Sequence, residues 1–217
     1  MSGPVSQPAA TQSRATTQPP PTPSSAPVAS PMLCRMCRAK TFAFVRARNW
    51  AAYSESLTAA IMLLKYEEVT RLGDWFAGRL AELHARLSQL DASAWHADVI
   101  VPVPLHADRR RERGYNQVDM IARPLAKRLK LPFRPYLLAR TKPRPARLVL
   151  SRSEHWESVR GAYAIRDGSH VDKLRILLID DVMTTGATLD ACSRALLAAG
   201  AVEVTAITVA RAIPRRP

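Results

Sequence analysis

The chain has 217 residues, of which 47% are hydrophobic, and its 32 Lys and Arg against 18 Asp and Glu give a net charge of +14. This length suits one domain with tails, and the apolar content excludes a wholly disordered chain. No stretch approaches the roughly 18 apolar residues that cross a bilayer, and the opening residues lack a secretory apolar core. We therefore expect a cytoplasmic protein without membrane insertion. The positive charge favours an anionic partner, which can be a nucleotide, a nucleic acid or a membrane surface.

The first 31 residues are rich in Pro, Ser, Thr, Ala and Gln. Such a segment buries too little apolar surface to offset its ordering entropy, so residues 1–31 are predicted to form a disordered tail. No acidic residue precedes Glu55, which leaves an organellar transit segment as the less favoured alternative. Residues 53–213 are predicted to form the folded domain.

Residues 32–52 are predicted to be a separate segment, which contains the Cys-x-x-Cys pair Cys34 and Cys37. A tetrahedral structural zinc site needs four N or S ligands, and the chain has no second pair of this kind. Cys192 falls at a predicted helix core position. A complete zinc site within the chain is therefore not expected, and this cysteine usage fits a reducing compartment.

Helical patterns open the domain. Leu57, Ile61 and Leu64 fall on one helical face. A second apolar series keeps the 3.6-residue period and consists of Leu72, Phe76, Leu80, Leu83, Leu87 and Leu90. The pattern predicts two helices, or a single helix broken at Gly73.

Strand and helix patterns alternate after the opening helices. An apolar, β-branched run at 98–103 is typical of a buried strand, and a basic loop and a helix at 115–129 follow it. A second unit repeats this order with a strand at 175–179, a helix at 189–199 and a strand at 202–210. This alternation predicts an α/β fold with a mostly parallel sheet, whose ligands bind where loops leave the carboxyl ends of the strands.

The turn that follows the strand at 175–179 has the composition of a phosphate site. A helix N-terminus attracts phosphate through its free N–H groups and its partial positive charge. Thr184, Thr185 and Thr188 add hydroxyl donors, and Gly186 permits close approach of the backbone. These residues predict a cradle for a phosphomonoester.

Two adjacent carboxylates, Asp180 and Asp181, precede this turn. Ionised carboxylates accept hydrogen bonds from vicinal ribose hydroxyls and also favour a nearby Mg²⁺. Taken separately, the acidic pair is equally typical of a solvated turn, and the Thr-rich segment of an ordinary helix cap. Their spacing after a buried strand favours a site for a ribose 5-phosphate.

The string ILLIDDVMTTGAT, residues 176–188, resembles the motif that binds phosphoribosyl pyrophosphate (PRPP) in type I phosphoribosyltransferases. The string VPVPLHADRRRERGYNQ, Lys65-Tyr66 and the Cys-x-x-Cys pair are similar to ComF-type proteins, the competence-associated branch of that superfamily. The resemblance implies the type I phosphoribosyltransferase fold with a helical N-terminal hood, and PRPP with Mg²⁺ as ligands. It implies that Asp180 and Asp181 are the catalytic pair. The implied PRPP contacts are Asp180, Asp181, Met183, Thr184, Thr185, Gly186, Ala187 and Thr188.

The basic string at residues 101–117 leaves the same edge of the predicted sheet as the acidic pair, and type I transferases hold pyrophosphate at that place. The resemblance assigns pyrophosphate binding to Pro104, Leu105, His106, Arg109 and Arg113. Asn116 and Gln117 are expected to shape this loop from the following helix. An exposed basic run that only aids solubility is the alternative.

Residues 140–161 form a long basic segment between the two units, which is typical of a functional flap. The predicted flap residues are Arg140, Lys142 and Arg147. Compared with ComF-type proteins, this segment lacks a Gln, and His155 and Ser158 stand in place of Arg and Asn. Because flaps close over charged intermediates and exclude water, these differences bear on turnover.

The leading hypothesis is a Mg²⁺-dependent, PRPP-binding phosphoribosyltransferase linked to DNA uptake. The alternative is a single-stranded DNA-binding competence module without turnover, in which the basic flap binds phosphates and aromatic residues stack on bases. The candidate stacking residues are Trp50, Trp156, Tyr115 and Tyr163. A PRPP-sensing regulator is a third hypothesis. A second copy of the chain in a homodimer and competence or recombination proteins are candidate partners, and no base-recognition pattern identifies an acceptor.

Overall fold

The computed structural model describes residue 3 and residues 42–143 and 151–212. The predicted tail at 1–31, the pair Cys34 and Cys37, and Arg147 lie outside the described residues. Within these ranges, no helix combines the length and the apolar character that crossing a membrane requires.

Six strands are described. In chain order they are β1 (Arg46–Ala52), β2 (Val99–Pro102), β3 (Leu138–Arg140), β4 (Tyr163–Ile165), β5 (Arg175–Met183) and β6 (Glu203–Arg211). Four of them form a parallel sheet in the order β1-β6-β5-β2, and β3 and β4 form an antiparallel pair. The predicted α/β fold with a mostly parallel sheet is confirmed.

Six α-helices accompany the strands. They are α1 (Glu55–Tyr66), α2 (Arg71–Leu90), α3 (Ala107–Arg113), α4 (Gln117–Leu129), α5 (Arg152–Val159) and α6 (Ala187–Ala198). Helices α1, α2 and α4 pack their apolar faces on one side of the sheet, and α6 and the β3–β4 pair contribute to the core on the other side.

Strand β5 is buried on both faces and forms the centre of the fold. Because side chains alternate along a strand, Ile176 and Leu178 join one core layer, whereas Leu177 and Ile179 join the other. An apolar run without polar alternation is the pattern of a parallel strand covered by helices on both faces. The strand therefore positions the residues at its carboxyl end rigidly between the two layers.

The sheet begins before Tyr53, the residue at which the folded domain is predicted to start. Strand β1 pairs in parallel with β6, from Arg46 opposite Thr205 to Ala52 opposite Arg211. Its sequence, RARNWAA, has no apolar alternation, so only the pairing with β6 makes it a strand. The predicted boundary between residues 52 and 53 is therefore wrong for the sheet.

Strand β5 continues beyond Ile179, where its apolar run ends. The neighbouring strand β6 keeps pairing with it, with Asp180 opposite Thr208 and Val182 opposite Ala210. The acidic pair therefore lies in a strand instead of the predicted loop. Likewise, the predicted loop after β2 contains α3, which His106 caps by accepting a hydrogen bond from the Asp108 N–H at 3.3 Å.

The break between the two opening helices precedes α2, so Gly73 lies inside this helix instead of interrupting it. The glycine is required by packing, because a Cβ atom at this position would lie 2.5 Å from the carbonyl oxygen of Met120 on α4. Gly78 lies in the same helix, and a Cβ there would meet nothing within 4 Å.

Gly73→Ala should lower the free energy of unfolding by more than about 2 kcal/mol, because α2 must move away from α4 and opens the core between them. Gly78→Ala is the matched control and should raise it by about 0.5–1 kcal/mol, because alanine is the better helix former. Urea denaturation of both variants measures these changes. Equal effects of the two substitutions would contradict the proposed role of the close α2–α4 contact.

Candidate functional site

A cavity of about 370 Å³ opens at the carboxyl ends of β2 and β5. Several predicted site residues line it: Pro104, Leu105, Arg140, Asp180, Asp181, Thr184 and Thr188. Further lining residues are Lys65, Gln117, His155 and Ser158, which had no assigned ligand role, and Tyr163, which was predicted to stack on DNA bases. The fold thus brings the acidic pair, the Thr-rich turn and part of the predicted flap around one space.

Asp181 is held from two helices. Its Oδ2 lies 2.7 Å from Nζ of Lys65 at the end of α1 and accepts a hydrogen bond of 2.8 Å from Nε2 of Gln117 on α4. Burial acts to raise the pKa of Asp181, but the positive charge of Lys65 and these hydrogen bonds outweigh it and hold the pKa below its ordinary value. Asp181 is therefore ionised, and the charge is paired within the fold.

Asp180 differs from its neighbour. Its Oδ1 accepts a hydrogen bond of 2.9 Å from the backbone N–H of Asp181, and the residue is only 8% exposed. Burial, together with the negative charge of Asp181, raises the pKa of Asp180 to about 8. The two adjacent carboxylates thus have different charge states at neutral pH, whereas the sequence analysis expects both to be ionised.

The Thr-rich turn joins β5 to α6. Gly186 precedes the helix with φ of 83°, in the left-handed region that glycine adopts at little cost. A Cβ at this position would lie 3.0 Å from Cε of Met183 and 3.0 Å from Cε1 of Phe42. Met183 is buried and packs behind the turn. The backbone of the turn is therefore fixed by sterics as well as by hydrogen bonds.

The hydroxyl groups of this turn differ in their contacts. Thr184 and Thr188 line the cavity. Thr185 Oγ1 accepts a hydrogen bond of 3.3 Å from the N–H of Ala187, the first residue of α6, and lies 3.0 Å from Nδ1 of His155 on α5. The N-terminal turn of α6 and its threonines together form the feature that the sequence predicts as a phosphate cradle.

Four of the five residues predicted to bind pyrophosphate divide between two cavities, whereas His106 lines neither of them and caps α3. Pro104 and Leu105 line the first, whereas Arg109 and Arg113 line a second cavity of about 270 Å³. Lys65 lines both, so the two spaces meet at this residue. Tyr66, Glu68, Glu112 and Tyr115 complete the lining of the second cavity.

Arg113 is linked to the acidic pair through Gln117. Its Nη1 donates to Oε1 of Gln117, whose Nε2 donates to Asp181, and its guanidinium lies over the ring of Tyr66 at 4.8 Å from the centroid. Arg109 instead forms an exposed ion pair with Glu112 at 3.0 Å. The loop before α4 is held by Asn116, which is buried and donates to the carbonyl of Val103 at 3.1 Å.

Two of the predicted flap residues make contacts within the described structure. Arg140 donates from Nη1 to the hydroxyl oxygen of Tyr163 at 3.2 Å, and from Nε to the carbonyl of Lys142 at 3.0 Å. Lys142 Nζ donates to the carbonyl of Arg160 at 3.0 Å. Burial raises the pKa of Tyr163, so its phenol stays neutral beside the guanidinium.

The aromatic residues predicted to stack on bases are engaged inside the fold. Tyr163 is buried, and Tyr115 donates its hydroxyl to the carbonyl of Leu64. Trp50 and Trp156 pack against the rings of other aromatic residues, with centroids 5.4 and 5.9 Å apart. With these contacts in place, the four side chains do not form the predicted DNA-stacking surface.

Sequence reasoning missed the role of Lys65. A lysine late in an amphipathic helix is ordinarily a solvated residue, and only the resemblance to ComF-type proteins singles out Lys65. The one available signal was its position next to the apolar face of α1, on the turn after Ile61 and beside Leu64. That signal does not reveal a partner 116 positions further on, because the partner is specified by the packing of α1 against the sheet.

Comparison with known proteins agrees with this geometry. Residues 120–216 match the phosphoribosyl transferase domain family. The chain is 30% identical over 165 residues to Competence protein F of Haemophilus influenzae, which covers 74% of this chain and 70% of that protein. It is 27% identical over 179 residues to DNA utilization protein YhgH of Salmonella typhimurium, covering 82% of this chain and 78% of that protein.

A third relative is Competence protein ComFC of Bacillus subtilis, with 33% identity over 115 residues, 52% of this chain and 44% of that protein. The parallel sheet, the acidic pair at its carboxyl edge and the domain match define a type I phosphoribosyltransferase-like protein. Within that class, the chain belongs to the ComF family. The resemblance stated from the sequence motifs is confirmed.

The two aspartates should respond oppositely to substitution. Asp181→Asn leaves the charge of Lys65 without its partner and should lower the free energy of unfolding by about 3 kcal/mol, the low end for a broken buried pair because Lys65 is partly exposed. Asp180→Asn removes a carboxyl group that burial disfavours in its charged form, so it should raise the melting temperature at pH 8 by at least about 2 °C.

The pH dependence of this effect follows from linkage. Because the pKa of Asp180 is about 8 in the folded protein and 3.8 ordinarily, the stability that its protonation contributes is full below pH 3.8 and is lost as the pH rises to about 8. The stabilisation by Asp180→Asn should therefore be larger at pH 8 than at pH 5. Calorimetric unfolding at both pH values measures it, and a pH-independent difference would refute the assignment.

Proposed function

We propose that this protein is a PRPP-binding, phosphoribosyltransferase-like protein that acts in DNA uptake, and that it holds or transfers a 5-phosphoribosyl group with Mg²⁺. The observation that carries the proposal is the cavity in which the carboxyl end of β5 delivers Asp180 and Asp181 beside the threonines that begin α6. A ribose 5-phosphate presents vicinal hydroxyls and a phosphate, and it needs these two kinds of group together.

The two cavities accommodate the two ends of PRPP. The 5-phosphate would lie at the N-terminus of α6 with Thr184 and Thr188, and the ribose at Asp180. The diphosphate would extend toward Lys65, where the second cavity begins with Arg113. In this placement Pro104, which lines the first cavity, and Arg113, which lines the second, would both serve the pyrophosphate.

The residues present fit a Mg²⁺ ion that binds together with PRPP. Among the described residues, no group of three or more His, Cys, Asp and Glu forms a metal site of its own. Mg²⁺ ordinarily takes only one or two protein carboxylates together with substrate phosphates, and Asp180, whose side chain has no cationic partner among the described ion pairs, would hold it. When bound, the ion would supply positive charge to the leaving diphosphate.

The residues of the chain contribute binding and orientation. Departure of the diphosphate from C1 of the ribose creates positive charge on the sugar and negative charge on the leaving group, so fixed charges lower the barrier more than a protein nucleophile would. Arg113 would lie beside the leaving diphosphate. Asp181 holds Lys65 and Gln117 in place, and Gln117 in turn holds Arg113. Arg140 and α5 would exclude water from the occupied cavity.

The competence role rests on the relatives. The names of the compared proteins refer to competence in Haemophilus influenzae and Bacillus subtilis and to DNA utilization in Salmonella typhimurium. Competence or recombination proteins, a second copy of the chain and a cytoplasmic location accordingly remain proposals. The acceptor of the phosphoribosyl group is not specified by the residues of the cavity.

Titration of the full chain with PRPP and MgCl₂ in a calorimeter tests the proposal. Thr188→Val keeps the side-chain volume but removes a hydroxyl from the cradle, and should weaken PRPP binding by about ten- to a hundredfold, the value of a hydrogen bond to a charged group. The control is Thr70→Val, because Thr70 is exposed and its side chain does not cap α2. No binding of PRPP to the folded wild-type protein would refute the proposed function.

Single-stranded DNA binding is a second candidate, and one observation favours it. The ring of Tyr136 is exposed, and the guanidinium groups of Arg110 and Arg166 lie 5.1 and 5.5 Å from its centroid. An accessible aromatic ring beside cations can stack on a base while the cations meet phosphates.

Tyr136→Ala should weaken binding of an oligothymidylate by about 1–3 kcal/mol, the value of one stacked base, without changing PRPP affinity. Arg166→Gln should reduce the slope of log affinity against log salt by about 0.7, and Arg86→Gln, an exposed arginine on α2, serves as its control. Fluorescence anisotropy in a salt series measures both. Wild-type protein without salt-dependent binding of the oligonucleotide would remove this candidate.

A further inference from the structure

Helix α5 carries a contact to the Thr-rich turn that the proposed function does not use. His155 Nδ1 lies 3.0 Å from Oγ1 of Thr185, and both His155 and Ser158 line the first cavity. The helix therefore touches the predicted phosphate cradle directly from the side opposite to α1.

The position of this histidine is set by the packing of α5. Val159 is buried and Trp156 packs against Phe42, which anchors one face of the helix in the core. At the other end, Ser151 and Glu154 form a capping box, in which each side chain accepts a hydrogen bond from the other residue's backbone N–H. With the helix fixed in this way, His155 is presented to the turn.

The hydrogen-bond capacity of Thr185 determines the direction of its contact with His155. A threonine hydroxyl has one proton to donate and two lone pairs, and one lone pair already accepts from the N–H of Ala187. If the hydroxyl gives its proton to a ligand phosphate, it no longer has one for His155. The imidazole then becomes the donor, from Nδ1 to the remaining lone pair of the Thr185 oxygen, and a phosphate dianion in the cradle favours the doubly protonated ring.

We propose that His155 is a positioning residue of the 5-phosphate subsite: when the phosphate of the ligand accepts the Thr185 proton, His155 donates to the Thr185 oxygen and, as imidazolium, places a positive charge beside the phosphate. The added proton comes from solvent. Occupation of the cradle thereby ties α5 to the ligand, so that the flap side of the cavity responds to the phosphate end of the substrate. This inference rests on the proposed function, and it gives the flap a charge that responds to the phosphate.

Among the residues that the structure describes, the charged and titratable groups around the cavity come from several elements. They are Lys65 from α1, Arg140 from β3, Tyr163 from β4 and the pair Asp180 and Asp181 from β5, with Glu154 and Glu157 on α5 itself. The charges of Lys65 and Asp181 balance each other, and Arg140 repels an imidazolium. A ligand phosphate adds negative charge that offsets this repulsion.

The test uses the full chain with histidine labelled in the ring, and ribose 5-phosphate without metal as the probe. The chain has five histidines, and His155→Gln identifies the signal of interest. We expect the protonation midpoint of His155, followed by NMR, to move to higher pH by about one unit or more when ribose 5-phosphate binds. Ribose without phosphate should leave the midpoint of His155 unchanged. Neither ligand should change the midpoint of the exposed His170.

Affinity provides the second readout. At pH 6, His155→Gln should weaken ribose 5-phosphate binding about tenfold relative to the wild-type protein. At pH 9 the two dissociation constants should be nearly equal, because the substitution removes only the charged donor. His170→Gln is the matched control and should bind as the wild-type protein does. A pH-independent ratio would indicate a purely structural role and overturn the inference.

The two proposals fail separately. Wild-type protein that binds ribose 5-phosphate while the His155 signal does not respond overturns the positioning role and leaves the phosphoribosyl site intact. Wild-type protein that does not bind ribose 5-phosphate or PRPP at millimolar concentration overturns both.

Discussion

The ion pair between Lys65 and Asp181 is the constraint on which the rest of the site depends. It joins the end of α1 to the carboxyl edge of the central strand. Because removing two charges from water costs several kcal/mol unless they are paired and hydrogen-bonded, neither group is stable at this depth without the other. The additional hydrogen bond from Gln117 on α4 satisfies the same carboxylate, so one aspartate orients two helices. The positions of both cavities follow from this arrangement, since Lys65 borders each of them.

With Asp181 used in this way, its neighbour carries the remaining chemical capacity of the pair. Asp180 is as buried as Asp181, but among the described residues it has no ion pair of its own, and a second negative charge beside Asp181 is unfavourable. Strongly perturbed carboxyl groups concentrate at functional sites because a ligand or an ion can supply the missing compensation. The asymmetry therefore separates a structural aspartate from one that is available to ribose hydroxyls or a metal ion.

The walls of the first cavity come from both layers of the fold. Lys65 and Gln117 belong to helices on one side of the sheet, whereas Tyr163 and α5 belong to the other side. A ligand in this cavity contacts both layers and thus can couple them. The contact of His155 with Thr185 is where the second layer meets the turn that begins α6.

The sequence by itself determined the parallel α/β fold, because the apolar runs at 99–102 and 175–179 and the 3.6-residue periods are local patterns. It also located the turn at 184–188, whose Gly and Thr residues have a local conformational reason. Tertiary structure alone decided the rest. Strand β1 and the end of β5 are strands because β6 lies beside them, and local composition does not encode that pairing. The partnership of Lys65 with Asp181, and hence the unequal charges of the acidic pair, depends on residues distant in sequence that only packing brings within 2.7 Å.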